Sequence, residues 1–388
     1  MRVLFSSTFG YGHIFPMLPL ARAFAAAGHD VLWAVCADAA HLPTAAGIET
    51  TAAGLSGASL HEARQPVLAL AEDVAPADRA SFVFPRMFGE ALTPPMVADL
   101  LPLAQQWRPD LLVHENGELA SAVVGAVLDV PSVTHAFGGA IPPHFLSDAG
   151  DRLGPLWAAH GHELPPYAGC FTSLYLDICP PSVQTVPTDH IGASQPLRPV
   201  ADTGPEPTEL PDYLEDDGRP LVYLTLGTVR NHSPVLRPAV EAIAQLPVRV
   251  LVTVGPDGEP ETLGTQPPNV RVERWVNQPQ VLQHCSVVVS HAGSGTFLGA
   301  LALGLPQLCL PQAADQFRNA AGGGGRGAAL VLTPPEASAD AVAGAVTRLL
   351  TEDSFRGSAA LVATEIAGMP SPADVVEDLV RRFEPSAG

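Results

Sequence analysis

A strand-and-helix rhythm runs through the first half of this chain, stops in a proline-rich acidic stretch, and then starts again. Short apolar runs at residues 2–8, 31–36, 110–114 and 131–135 read as strands, with helical stretches such as 16–28 and 117–128 between them. Strands that are apolar throughout, rather than alternating, belong to parallel sheets covered on both faces. Residues 196–220, PLRPVADTGPEPTELPDYLEDDGRP, have the composition of an exposed linker. The rhythm resumes with strands at 221–226, 248–254, 270–275, 287–290 and 307–310, and an amphipathic helix at 372–383 closes the chain. The expectation is an α/β protein with two doubly wound domains of similar size facing a cleft. Residues 1–200 and 219–370 would be the domains and 201–218 the linker. The last segment, 371–388, is expected to cross back to the first domain. Residues 53–95 and 137–166, with several Phe, Pro and Met, fit the rhythm poorly and read as irregular.

Composition removes whole classes of function. With 388 residues, 47% hydrophobic and only 15% charged, the chain can bury two large cores. A net charge of −20 argues against nucleic acid or an anionic membrane surface as partner. All 20 basic residues are Arg, which removes Schiff-base chemistry and the lysine of a phosphate-binding P-loop. Cys36, Cys170, Cys179, Cys285 and Cys309 are odd in number and lack metal-ligand spacing, so they read as reduced thiols of a cytoplasmic protein. The apolar run at residues 3–5 is too short for a signal core. Residues 285–314 carry no charge, but Gly293, Gly295, Pro306 and Pro311 break them into strand, turn, helix and strand rather than a membrane span.

Two strand-to-helix turns carry the candidate chemistry. FSSTFGYGHIFPMLPLARAF, residues 5–24, places His13 where a strand hands over to a helix, with Pro16 suited to the helix's first turn. Ligands bind open parallel sheets at this edge. His13 is therefore either a chemical group or a satisfied loop histidine. Gly10 and Gly12 begin a dinucleotide fingerprint, but Phe15 stands where its third glycine belongs, so NAD is rejected. The second turn, Ser290-His291-Ala292-Gly293-Ser294-Gly295-Thr296, leaves an apolar strand and enters a helix. Small residues there let backbone N–H groups approach an anion, with His291 as a further donor, although tight strand–helix packing asks for the same residues.

This second segment resembles the donor-binding motif of GT-B-fold glycosyltransferases that use nucleotide sugars, particularly those that decorate antibiotics in actinomycetes. The matching pieces are Trp275, Gln278, Leu282, His284, His291 to Thr296, Gly304-Leu305-Pro306-Gln307 and Asp315-Gln316-Phe317 with Asn319-Ala320. Gly12-His13 with Pro16, and Pro109-Asp110-Leu111-Leu112-Val113, match the same family's acceptor side. The resemblance implies that Trp275 stacks on the nucleobase, flanked by Val276 and Gln278. It implies a diphosphate held by His291, Ala292, Gly293, Ser294, Gly295 and Thr296, with Thr228 nearby, and sugar hydroxyls held by Asp315 and Gln316. His13 would be the general base and Glu115 its orienter. Phe9, Phe84, Phe88, Phe137 and Phe145 would bind a hydrophobic aglycone. Single displacement at the sugar carbon would invert its configuration, without a metal or any cofactor besides the donor itself. A homodimer is compatible with this reading.

Three departures from the pattern stand out. Ala292 replaces a more usual Gly, Glu115 replaces a more usual Asp, and Gly322 to Gly325 interrupt what is ordinarily a helix. In the plant branch of the family, a Glu eight residues beyond the motif's His binds the ribose hydroxyls; here that position is Gly299. A dTDP-linked deoxysugar is therefore expected as donor over a UDP-linked sugar. A nucleotide-sugar epimerase of the same fold and a non-catalytic sugar-nucleotide-binding partner are the alternatives. The Phe-rich stretches favour a transferase over the first, and His13 with Asp315 and Gln316 favours an enzyme over the second.

Overall fold

The computed structural model describes residues 1–75, 78–200, 211–215, 217–227 and 233–384, with the backbone alone at Asp212. Thr228 and most of the expected linker lie outside the described residues. The chain divides into two compact units, Met1–Cys179 with Val186–Arg198 and Met369–Gly388, and Pro180–Thr185 with Pro199–Gly368.

Each unit is built on a parallel sheet. In the first, β1 (Arg2–Ser6), β2 (Asp30–Val35), β3 (Glu49–Ala52), β4 (Leu111–Glu115), β5 (Ser132–His135), β6 (Leu174–Asp177) and β7 (Ser194–Pro196) lie in the order β3-β2-β1-β4-β5-β6-β7. In the second, β8 (Leu221–Thr225), β9 (Arg249–Thr253), β10 (Val270–Glu273), β11 (Val287–Ser290), β12 (Gln307–Cys309) and β13 (Ala329–Val331) lie in the order β10-β9-β8-β11-β12-β13. Every neighbouring pair is parallel, as in Ser6↔His114 of β1 and β4 and Ser290↔Thr225 of β11 and β8. The order reverses between β1 and β4 in one sheet and between β8 and β11 in the other. At such a reversal the loops leaving adjacent strands diverge to opposite faces and open a crevice. His13 follows β1, Glu115 ends β4, and His291 follows β11.

The central strands are buried because they are apolar on both faces. Phe5 of β1 stacks on Trp33 of β2 at 5.3 Å and meets Phe24 of the helix Leu18–Ala26 edge-on at 6.1 Å. The closing helix Pro372–Phe383 starts in a capping box of Ser371 and Asp374 and packs against Leu18–Ala26 within the first unit. All five cysteines are buried, and burial pushes the thiols of Cys285 and Cys309 up to about 12. The uncharged residues 285–314 form β11, the helix Ser294–Ala302 and β12. Among the described residues, no helix is long and apolar enough to cross a membrane.

Two sequence expectations are corrected. Residues 53–95 and 137–166 are largely helical, comprising Gly57–Glu72, Arg79–Phe84, the wide π-type turns of Pro85–Leu92, the start of Thr93–Trp107, and Pro143–Ala159. Pro66, Pro102 and Pro155 sit inside these helices, where proline is normally excluded. Packing of Leu100, Leu146, Leu153 and Trp157 into one apolar core outweighs that local cost. Gly322 to Gly325 do not interrupt a helix; they complete one, Gln316–Gly325. A Cβ on Gly322 would collide with the Val183 carbonyl, and one on Gly323 would stand 2.9 Å from the Phe297 ring. The glycines let this helix lie closer to its neighbours than any side chain permits.

Candidate functional site: a histidine–carboxylate pair and an anion-binding turn

The chain turns into a short helix, Tyr11–Ile14, immediately after β1, so His13 lies one turn earlier than a helix starting at Pro16 would put it. Its Nδ1 stands 3.0 Å from Oε1 of Glu115. Glu115 is the last residue of β4 and is fully buried. Oε1 also accepts the Thr8 hydroxyl at 2.8 Å and the Thr8 amide at 3.1 Å, and Oε2 accepts the Gly117 amide. Burial pushes this carboxyl up, but the charge and hydrogen bond of His13 and the Gly117 and Thr8 donors together hold it below the usual carboxylate range. Glu115 is thus an anion that fixes the His13 ring and favours a proton on its Nδ1, leaving Nε2 as the acceptor.

Aromatic rings flank this pair. Phe137 lies 4.9 Å and Phe88 5.5 Å from the His13 ring, centroid to centroid. Phe84 and Phe145 are buried in the core, Phe84 packing behind Phe88 at 4.9 Å. Phe9 lines a pocket with Thr8, Leu55, Leu60, Leu92 and Met96, and the Arg64 guanidinium lies 4.2 Å from its ring centroid. The four apolar residues of that list were missed in the sequence; the Leu and Met spacing of residues 55–96 was the available signal.

His135 of β5 is paired in register with Glu115 and fully buried. Its Nδ1–H donates to the Ala136 carbonyl, and burial lowers its pKa to about 4, so it is neutral beside the carboxylate. Sequence reasoning did not identify it.

In the second unit the turn after β11 is built from backbone. Ala292 is fully buried with φ +62, in the left-handed region that suits glycine. Gly293 caps the helix Ser294–Ala302, and Gly295 at its first turn is exposed. The His291 ring sits between two glycines: a Cβ on Gly227 would lie 2.6 Å from it, and one on Gly293 would overlap it. Burial lowers the His291 pKa, while Asp315 and the Thr225 backbone pull it the other way. A helix N-terminus leaves its first N–H groups without partners inside the helix, an arrangement suited to phosphate.

The remaining donor-side residues surround this turn. Trp275 is 48% exposed, whereas the side chain of Val276 is packed into the core. Gln278 Nε2 donates to the Thr296 hydroxyl at 3.1 Å. Asp315 Oδ2 accepts the Ser294 hydroxyl at 2.7 Å. The Gln316 carbonyl accepts the amides of Gln312 and Ala313, which leaves its NH2 for other contacts. Asn319, named in the sequence but given no role, sends Nδ2 to the Ala292 carbonyl at 2.9 Å and to Ser294 Oγ and Asp315 Oδ2 at 3.0 Å. Among the described residues, no three His, Cys, Asp or Glu side chains gather as a metal site.

Comparison with known proteins identifies the relatives of this chain. Residues 22–227 match the N-terminal domain model of erythromycin biosynthesis protein CIII-like proteins, and residues 237–381 match the C-terminal domain model. The chain is 35% identical to L-demethylnoviosyl transferase of Streptomyces niveus, covering 98% of this chain and 97% of that one. It is 34% identical to elloramycin glycosyltransferase ElmGT of Streptomyces olivaceus, covering 99% and 98%. The crystal structure of glycosyltransferase VinC in complex with dTDP superposes with a TM-score of 0.82 at 27% identity, covering 99% of this chain and all (100%) of that one. The chain therefore belongs to the erythromycin CIII-like family of GT-B antibiotic glycosyltransferases.

Proposed function

We propose that this enzyme transfers a deoxysugar from a dTDP carrier to a hydrophobic natural-product aglycone, with inversion at the sugar carbon and His13 as general base. The observation that carries this reading is the 3.0 Å approach of His13 Nδ1 to the buried Glu115 carboxylate. With Nδ1–H held by Glu115, Nε2 takes the proton of the acceptor nucleophile as that atom bonds to the sugar carbon. The bond from the same carbon to the diphosphate oxygen breaks on the opposite face, which inverts the centre. The carboxylate steadies the imidazolium that results.

On the donor side, the N-terminus of Ser294–Ala302 offsets the departing diphosphate by about 0.3–2 kcal/mol, with hydrogen bonds and His291 adding to it. In this scheme no divalent metal is required, and activity should survive a chelator. The choice of dTDP is supported by Gly299, which has no carboxylate for a ribose 2′-hydroxyl, and by the dTDP found with VinC. A charged hydrogen bond there would favour ribose by roughly 1.5–3 kcal/mol; without it, deoxyribose loses nothing. Phe9, Phe88 and Phe137 are the proposed aglycone contacts.

The test compares kcat/KM for the dTDP and UDP forms of one sugar with polyketide aglycones, and reads the product's anomeric configuration by NMR. Preference for dTDP and an inverted centre are expected. Preference for UDP refutes the nucleotide assignment, and retention refutes the single displacement.

A further inference from the structure

Ala292 occupies the left-handed backbone region without being glycine, in the middle of the turn that precedes the helix N-terminus. Such a backbone conformation is strained for any residue with a Cβ and persists only where its surroundings hold it. Its amide donates to Ser290 Oγ at 3.0 Å, and its carbonyl accepts Asn319 Nδ2 at 2.9 Å. Asn319 is 7% exposed, and the same nitrogen reaches Ser294 Oγ and Asp315 Oδ2. Three acceptors face one amide nitrogen, which settles its orientation, since the flipped amide would set oxygen against a carbonyl and a carboxylate. One side chain thus ties the strained turn, the first residue of the anion-binding helix and the proposed sugar-binding carboxylate into a single unit.

From this we infer that Asn319 is a positioning residue for the donor: it holds the Ala292 turn in its left-handed form and so presents the N–H groups of the helix N-terminus to the nucleoside diphosphate. The inference rests on the proposed function, because it takes that turn as the diphosphate site. It also explains why alanine is tolerated where the family resemblance leads one to expect glycine. Glycine adopts φ +62 without help, whereas alanine has to be held.

The test is a double-mutant cycle read by dTDP affinity in titration calorimetry, with melting temperature recorded alongside. Asn319→Ala should weaken dTDP about tenfold in the Ala292 chain. In an Ala292→Gly chain, the same substitution should weaken it less than threefold. A loss of equal size in both backgrounds overturns the inference, as does a fall in melting temperature with dTDP affinity unchanged. Should Asn319→Ala fail to fold, the isosteric Asn319→Asp replaces it. That variant sets a carboxylate against the Ala292 carbonyl and Asp315, and should weaken dTDP more in the Ala292 chain than in the Ala292→Gly chain. A wild-type enzyme that binds no dTDP refutes the functional reading itself, whereas wild-type binding without coupling refutes only the role of Asn319.

Discussion

The two candidate sites, one in each unit, are built by opposite means. The first unit's candidate site is made of side chains: an imidazole, a carboxylate without solvent access, and the Thr8 and Gly117 donors bonded to it. The second unit's candidate site is made of backbone, with Gly227 and Gly293 keeping bulk away from His291 beside a helix end. The lesson is one of vulnerability. The side-chain site should fail when atoms are removed or protonated, and the backbone site should fail when atoms are added.

Removing His13 is the strongest test of this contrast. His13→Ala should lower turnover by about 10²–10⁴-fold, the usual worth of a general base, while dTDP affinity by calorimetry stays within about twofold. Near wild-type turnover with a hydroxyl acceptor would break the comparison at its first term.

Protonation comes next, at His135. Its folded pKa of about 4 lies below the ordinary 6.5, so the native state prefers the neutral ring. That preference is fully present above about pH 6.5 and is lost as pH falls toward 4, where the unfolded chain binds the proton and the folded one does not. Roughly 3 kcal/mol of the first unit's stability should disappear across that interval. Urea unfolding at pH 7 and pH 4.5 measures it, and His135→Leu should flatten the profile. An unchanged slope in that variant would assign the acid sensitivity elsewhere.

Adding a methyl to the second unit's turn should cost less but also strike binding. A Cβ on Gly293 overlaps the His291 ring, so Gly293→Ala should destabilise the fold by about 1–3 kcal/mol, the range for overpacking, and weaken dTDP in calorimetry. The smallest effect has the opposite sign. Nothing lies within 4 Å of a Cβ on Gly325, and its helical position gains from alanine, so Gly325→Ala should stabilise the enzyme by about 1 kcal/mol or less. Thermal unfolding of Gly325→Ala beside Gly322→Ala, which collides with the Val183 carbonyl, sharpens the point.

The same contrast explains what could be read from the sequence. The turn after β11 lies within one contiguous stretch, from the end of β11 into its helix, where small residues and a helix start coincide. It was legible for that reason. The surroundings of Glu115 were not, because Thr8 meets it only once β1 and β4 are paired. Central strands such as Val287–Ser290 announced themselves by unbroken apolar runs. The edge strands of the first sheet did not: β3 is Glu-Thr-Thr-Ala, and β7 is three residues ending in proline. The helices of residues 57–107 and 143–159 were hidden by internal prolines, whose local signal says stop while long-range packing says continue. Gly322 to Gly325 misled in the same way, since a close approach between elements cannot be seen one residue at a time.

The buried thiols have a practical consequence. Alkylating reagents attack thiolates, and burial pushes the pKa of Cys36, Cys170, Cys285 and Cys309 upward. The native enzyme should therefore be nearly inert to iodoacetamide, with each cysteine modified only when the chain around it opens. Cys36, Cys170 and Cys179 belong to the first unit, and Cys285 and Cys309 to the second. Peptide mapping after a timed pulse of reagent thus reads the opening of each unit from its own clock. Added dTDP should slow the clock of Cys285 and Cys309.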